Sequence, residues 1–148
     1  MNQAHLSSQH PYDPSCIFCR IAVGEISCFK IFESPDLLCF LDIGPVAAGH
    51  SLIIPKAHYK NVFDVPAGLL AALGGQLPVL ARAVTAAVDA PGCHILLNNG
   101  SEAMQSVFHL HYHIIPRKAG DSFHVPWHPG KLESSSAAQL IAKIKAGL

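Results

Sequence analysis

Residues 109–117 read HLHYHIIPR, so His109, His111 and His113 occupy every second position, with Leu110 and Tyr112 between them. On a β-strand, alternate side chains point to opposite faces. The three imidazoles then share one face, while Leu110, Tyr112 and Ile114 point into a core. An imidazole can attack as a nucleophile, carry a proton or ligate a metal. Successive histidines on one strand face stand ~6.5–7 Å apart, too far for all three to share one metal without bending. The spacing suits a division of labour in which each ring has its own partner. The plainer alternative is a half-buried strand whose outer face happens to be histidine, at a cost in stability when the rings protonate below pH ~6.5.

A second group is CIFC, with Cys16 and Cys19. Two cysteines at this spacing form the first half of many zinc sites. They could also be redox-active or plain core thiols, although a thioredoxin-like pair sits between a strand and a helix and no strand precedes this one. A zinc site needs two more ligands, and His58 in PKAHYK and one member of the histidine comb are the candidates. The third group is the loop LLNNGSEAMQSVFH. Asn98, Asn99, Gly100, Gln105 and Ser106 offer amides, a flexible backbone and a hydroxyl that could meet phosphate oxygens; they would equally make a polar turn. Asp42, at the end of a strand-like run, is either a cap or a ligand for ribose hydroxyls. A Walker loop, a G-x-S-x-G elbow and a carboxylate pair are all missing from the sequence.

The elements that must position these groups follow from the apolar pattern. DPSCIFCRIAVGEI reads as a short helix with Asp13 as N-cap, Pro14 at the first helical position and Gly24 as the stop. CFKIFES and LLCFLDI read as a hairpin of two strands, and SLIIP as a third. In residues 64–92, Leu69, Leu73, Leu77, Leu80, Val84 and Val88 form one apolar stripe, which predicts a long helix kinked at Pro78. CHILLN and VFHLHYHIIP read as the fourth and fifth strands. A last amphipathic helix starts near Ser136 and carries Leu140, Ile141 and Ile144. The order of elements predicts an α+β fold with an antiparallel sheet.

At 148 residues, half of them apolar and 14% charged, the chain suits one domain with a sizeable core. Residues 1–12 read as a loose tail, 13–118 as the domain and 119–148 as an extension packing on the domain or on a partner subunit. Ten basic and ten acidic residues cancel, so no basic patch argues for a duplex nucleic-acid partner. The longest apolar run, around Val65 to Leu73, is broken by Pro66 and Gly68, so no membrane span is expected. The polar N-terminus lacks a signal-peptide core, and the odd set of five cysteines suits free thiols or metal ligands; the expectation is a cytoplasmic protein. His5, His10, His94, His124 and His128 share no spacing and read as ordinary surface or satisfied histidines.

Taken together, HLHYHII, CIFCRIAVGEI, FLDIGPVAAGHSLIIPKAH and NNG…QSVFH resemble, in that combination, the histidine triad (HIT) family of nucleotide-binding hydrolases and transferases. The resemblance runs from about Cys16 to Arg117 and is strongest to bacterial-type zinc-containing HIT proteins. It implies a five-stranded antiparallel sheet with one long helix, flanked by a short N-terminal and a C-terminal helix, and a homodimer whose sheets join edge to edge. It implies a purine nucleotide substrate such as an AMP conjugate, cleaved at the α-phosphorus of a phosphoramidate, ester or anhydride. Diadenosine polyphosphate hydrolysis, nucleotidyl transfer and a binding module with little catalysis are the alternatives. His111 would be the nucleophile, His113 a phosphate ligand and His50 part of their network. Cys16, Cys19, His58 and His109 would hold a structural zinc. Phe18, Ile21, Ile26 and Phe40 would form the base pocket with Ile43 near it, Asp42 would take the ribose, and Asn98, Gln105 and Ser106 would meet phosphate or leaving group. Residues 103 and 104 are Ala and Met, where family members usually carry a glycine before the glutamine.

Overall fold

The computed structural model describes residues 10–148. The expected tail of residues 1–12, and His5 with it, therefore lies largely outside the described residues. Among those described, the order is α1 (Ile17–Ala22), β1 (Lys30–Glu33), β2 (Leu37–Leu41), β3 (Ser51–Pro55), α2 (Ala67–Ala87), β4 (Gly92–Leu97), β5 (Tyr112–Arg117) and α3 (Ser134–Lys145), with one 3-10 turn at Ser101–Ala103. The strands form a five-stranded sheet in the order β1-β2-β3-β5-β4, every neighbouring pair antiparallel. This is the α+β architecture expected from the sequence.

The strand period sorts the side chains into two cores. Leu37 and Cys39 of β2, Ile53 of β3 and Ile114 of β5 pack with Leu73, Leu80 and Val84 of α2. Leu38 and Phe40 of β2 and Leu52 and Ile54 of β3 face the other way, onto Phe18, Cys19 and Ala22 of α1. The long helix thus closes one face of the sheet and the short helix the other. The α2 stripe is recovered in the buried Leu73, Leu80 and Val84, and Pro78 does not end the helix, which runs on to Ala87. By length and composition alone α2 could cross a membrane, its most apolar window having a mean hydropathy of 1.4. The expectation of no such segment needs that correction, although one face of α2 is spent on the sheet.

Three local readings are also corrected. Asp13 does not cap α1. Its carboxylate accepts from Ser15 N–H (2.8 Å) and Ser15 Oγ (2.6 Å), and its carbonyl accepts from Cys16 N–H (3.0 Å), forming a turn that delivers the chain to the helix at Ile17. Pro14 accordingly precedes the helix. Gly24, at φ +80°, is the stop expected of it. The fifth strand starts at Tyr112 and not at Val107. His109 and His111 lie before the ladder, where Leu110 N–H bonds to the Tyr59 carbonyl at 2.7 Å. In the C-terminal extension α3 has no buried residue, and Leu140, Ile141 and Ile144 are each about half exposed.

Candidate functional site

The segment leading into β5 passes between the two cores. Leu110 is fully buried on the α2 side, whereas Phe18 of α1 stands edge-on to His109 (5.9 Å between centroids) and His111 (5.1 Å) on the other. Burial therefore enforces the alternation that sheet pairing alone would not, because the ladder has not yet begun.

His109 turns to the cysteines. Its Nδ1 lies 3.4 Å from Cys16 Sγ and 3.5 Å from Cys19 Sγ, and His58 Nδ1 lies 3.2 Å from Cys19 Sγ. The four donor atoms all fall within 4.8 Å of one another. Ideal Zn–S and Zn–N bonds at tetrahedral angles put S and N about 3.6 Å apart, so the set is already near the size of a zinc site. The tautomer fits as well. His109 Nε2–H donates to the Pro55 carbonyl at 2.8 Å, which leaves the Nδ1 lone pair facing the sulfurs. Burial pushes the Cys19 thiol up to about 12 and the His109 imidazole down to about 4. A bound cation reverses the preference at the thiols by stabilising thiolate.

His111, 4% exposed, is fixed in the opposite sense. Its Nδ1 lies 2.6 Å from the His109 carbonyl, which can only accept, so Nδ1 carries the proton and the Nε2 lone pair is free. Burial lowers its affinity for a second proton, though the His109 carbonyl and Asp42 oppose this. His50 and His113 form a relay. Val46 N–H donates to His50 Nδ1 (3.2 Å), so the His50 proton sits on Nε2, which points at His113 Nδ1 (2.9 Å). With its Nδ1 accepting, His113 presents Nε2–H as a donor. Burial, helped by His111 and His50, holds His113 near a pKa of about 4, so it is neutral at physiological pH. The donor atoms of Asp42, His50 and His113 also cluster within 4.8 Å. The Val46 amide argues against a metal there, because it leaves His50 without a lone pair to give.

His111 and His113 open on a cavity of about 260 Å³. Of the expected pocket residues, Phe18, Ile21, Ile26, Phe40, Asp42, Ile43 and Ser106 line it; Ile17, Ser27, Cys28, Leu41, Leu52 and Val107, which sequence reading did not single out, complete it. Phe18 and Phe40 meet edge to face at 5.8 Å. Asp42 stands at the polar end, one carboxylate oxygen accepting from Gly44 N–H (2.8 Å) and the other 3.6 Å from His50 Nε2. Ile43 is 85% exposed, at the rim. A larger hollow of about 360 Å³, between the β1–β3 region and the end of α2, has no titratable lining residue.

Two expected phosphate-loop residues sit elsewhere. The Gln105 amide is committed to the backbone: Oε1 accepts from Gly100 N–H (2.8 Å), and Nε2 donates to the carbonyls of Lys60 (2.6 Å) and Val107 (3.2 Å). Asn98 reaches the Met104 carbonyl at 3.5 Å and does not line the cavity. Both shape the loop that carries Ser106. A further cluster was not foreseen. Arg117 grips Asp121 with Nε (2.7 Å) and Nη2 (2.6 Å), donates to His94 Nδ1 (2.8 Å) and to the Phe123 carbonyl, and lies 5.0 Å from the Phe123 ring centre. The spacing of Arg117 and Asp121 was the available signal, and it marks the anchor of the C-terminal extension.

Comparison with known proteins agrees with this geometry. Residues 23–120 match the family model described as the HIT domain; the match begins after Cys16 and Cys19. The chain is 39% identical over 137 residues to Adenylylsulfatase HINT3 of Arabidopsis thaliana, covering 90% of this chain and 69% of that one. It is 39% identical over 113 residues to Adenosine 5'-monophosphoramidase HNT1 of Saccharomyces cerevisiae, covering 76% and 69%. Among solved structures it is similar to SMU.412c from Streptococcus mutans UA159, with a TM-score of 0.90, 35% identity and coverage of 94% and 88%. It is also similar to a Zn-bound histidine triad family protein from Mycobacterium smegmatis, with a TM-score of 0.71, 36% identity and coverage of 87% and 97%. The matched span contains all three alternating histidines and all five strands from end to end, and by it this chain belongs to the HIT family.

Proposed function

We propose that the protein hydrolyses a nucleoside 5′-monophosphate conjugate at its α-phosphorus through a nucleotidyl-His111 intermediate. One observation carries this reading: a buried histidine whose proton is held by a backbone carbonyl and which lines, beside a neutral histidine donor, an apolar cavity with one carboxylate. His111 Nε2 attacks phosphorus, and the bond to the leaving nitrogen or oxygen breaks, its electron pair leaving with that atom, which takes up a proton. Water then attacks the same phosphorus, the P–Nε2 bond breaks and the nucleoside monophosphate is released. Splitting one displacement into two suits imidazole, which attacks well and leaves well. His113 Nε2–H binds a non-bridging oxygen as charge gathers there. Asp42 takes the ribose hydroxyls, and the base lies among Phe18, Ile21, Ile26 and Phe40. Ser106 faces the phosphate or leaving group.

The names of the relatives, an adenylylsulfatase and an adenosine monophosphoramidase, support adenylyl conjugates as the substrate class. Cys16, Cys19, His58 and His109 would hold zinc. A bound zinc would supply a closed four-ligand crosslink and not a site for water activation. The same reading makes the protein a homodimer whose sheets join edge to edge, the edges being β1 and β4; light scattering on the purified protein tests it. The decisive experiment is His111→Ala with adenosine 5′-phosphoramidate. Turnover is lost while AMP binding by calorimetry persists, and mass spectrometry of the quenched wild-type reaction finds the nucleotidyl group on His111. Full turnover in the variant would refute the mechanism.

A further inference from the structure

The peptide joining His109 to Leu110 is held from three directions. The His109 side chain turns its Nδ1 to Cys16 and Cys19, at 3.4 and 3.5 Å. The Leu110 N–H donates to the carbonyl of Tyr59, the residue after His58, at 2.7 Å. The His109 carbonyl accepts the Nδ1–H of His111 at 2.6 Å. The acceptor that decides which nitrogen of His111 carries the proton therefore belongs to a residue whose side chain is a metal donor. The sheet supplies no restraint here, because β5 begins only at Tyr112. A neutral imidazole has two tautomers of similar energy, and only the one protonated on Nδ1 turns a lone pair at the substrate.

We propose that His109 is a positioning residue: capture of a metal by Cys16, Cys19, His58 and His109 fixes the His109 carbonyl, holds the proton on His111 Nδ1 and so makes Nε2 the nucleophilic atom. The metal site then sets the tautomer of the nucleophile in addition to pinning α1 to the domain. This rests on reading His111 as the nucleophile, but it is measured on the proton itself.

The test is NMR of protein labelled with ¹⁵N in its histidine rings, zinc-loaded and after chelation. In the zinc-loaded protein His111 is the Nδ1–H tautomer with a slowly exchanging proton. On chelation that proton exchanges roughly tenfold faster or more, and both tautomers appear, while the amides of β1 and β2 keep their protection. An unchanged His111 tautomer and exchange rate in a folded, metal-free protein overturns the proposal. Should chelation unfold the domain, Cys16→Ser in excess zinc decides. Retaining three donors, it should show intermediate His111 exchange, and signals identical to wild type overturn the proposal. The two readings fail separately. Metal-dependent tautomerism alongside full turnover in His111→Ala sinks the nucleophile assignment alone; metal-independent tautomerism alongside a trapped nucleotidyl-His111 sinks the coupling alone.

Discussion

Gly49 precedes His50 and adopts φ +81°, and a Cβ built on it would stand 3.2 Å from Pro116 Cγ, 3.2 Å from Val88 Cγ1 and 3.4 Å from Val84 Cγ1. Gly24 adopts nearly the same angle, +80°, but a Cβ there meets nothing within 4 Å. The two glycines therefore separate backbone strain from crowding. Gly24→Ala costs the left-handed conformation alone, about 1–2 kcal/mol. Gly49→Ala adds overpacking of about 1–3 kcal/mol, because Pro116 is rigid and buried on β5 and Val84 is buried in the α2 core. The expected total for Gly49→Ala is about 2–5 kcal/mol, a large share of the roughly 5–15 kcal/mol that holds a domain folded. Urea unfolding of both variants measures the difference. Gly49→Ala should also slow turnover, since any displacement of residue 49 moves His50 and with it the donor that sets the His113 proton. Equal destabilisation of the two variants would refute the packing argument, and no destabilisation of either would refute the backbone argument.

Three further outcomes are expected. The folded pKa of His113, about 4, lies below the ordinary 6.5, so stability is at full strength above pH ~6.5 and falls as pH drops from there toward 4, while the unfolded chain takes up the proton first. The loss is at most about 3 kcal/mol and smaller for a ring only partly buried; urea midpoints at pH 7.5 and pH 5 check it, and a higher midpoint at pH 5 would contradict it. Arg117→Lys removes the two-pronged hold on Asp121, and limited proteolysis should then cut faster between residues 118 and 133, with the domain itself intact. Met104 sits at φ +64° with its side chain 82% exposed, so Met104→Gly should raise stability by up to about 1 kcal/mol, less the added freedom of the unfolded chain; a lower melting temperature would show that Met104 has a packing partner.

Much of the fold was legible because the chain writes its two cores in plain periods. Alternate residues of LLCFL and SLIIP go to opposite sides, and Leu73, Leu80 and Val84 keep helical spacing. What misled was local. Asp13-Pro14 carries the signals of a helix start, but the Asp13 carboxylate is drawn off by Ser15, so α1 begins three residues after Pro14. VFHLHYHIIP looks like one strand, but residues 109–111 have no ladder partner and bond instead to the loop at Tyr59. The histidines that line the cavity, His111 and His113, and the cluster of Cys16, Cys19, His58 and His109 were recognisable by type and spacing. Their protonation was not, because it is set by three backbone groups far away in sequence or carrying no side-chain signal: the Pro55 carbonyl, the His109 carbonyl and the Val46 amide. Gln105 shows the same limit. Its amide could serve a phosphate as well as it serves Lys60 and Val107, and only the fold shows which.

Those three backbone groups explain how one repeated residue type comes to have several chemistries. Each imidazole has two nitrogens, and the backbone fixes the state of one in His109, His111 and His50, so that the other is left with a single role. In His109 the carbonyl takes Nε2–H and leaves the Nδ1 lone pair facing the sulfurs of Cys16 and Cys19. In His111 a carbonyl takes Nδ1–H and leaves Nε2 with its lone pair in a ring that lines the cavity. In His50 an amide occupies Nδ1, so Nε2 must donate, and that donation makes His113 a donor in its turn. Exchanging any one partner, a carbonyl for an amide, would invert the role of its ring without changing a single histidine. The specificity of the site therefore lies in the turns around residues 46, 55 and 109 as much as in the histidines. Substitutions that move those turns, such as Gly49→Ala, are expected to damage chemistry while leaving every imidazole present.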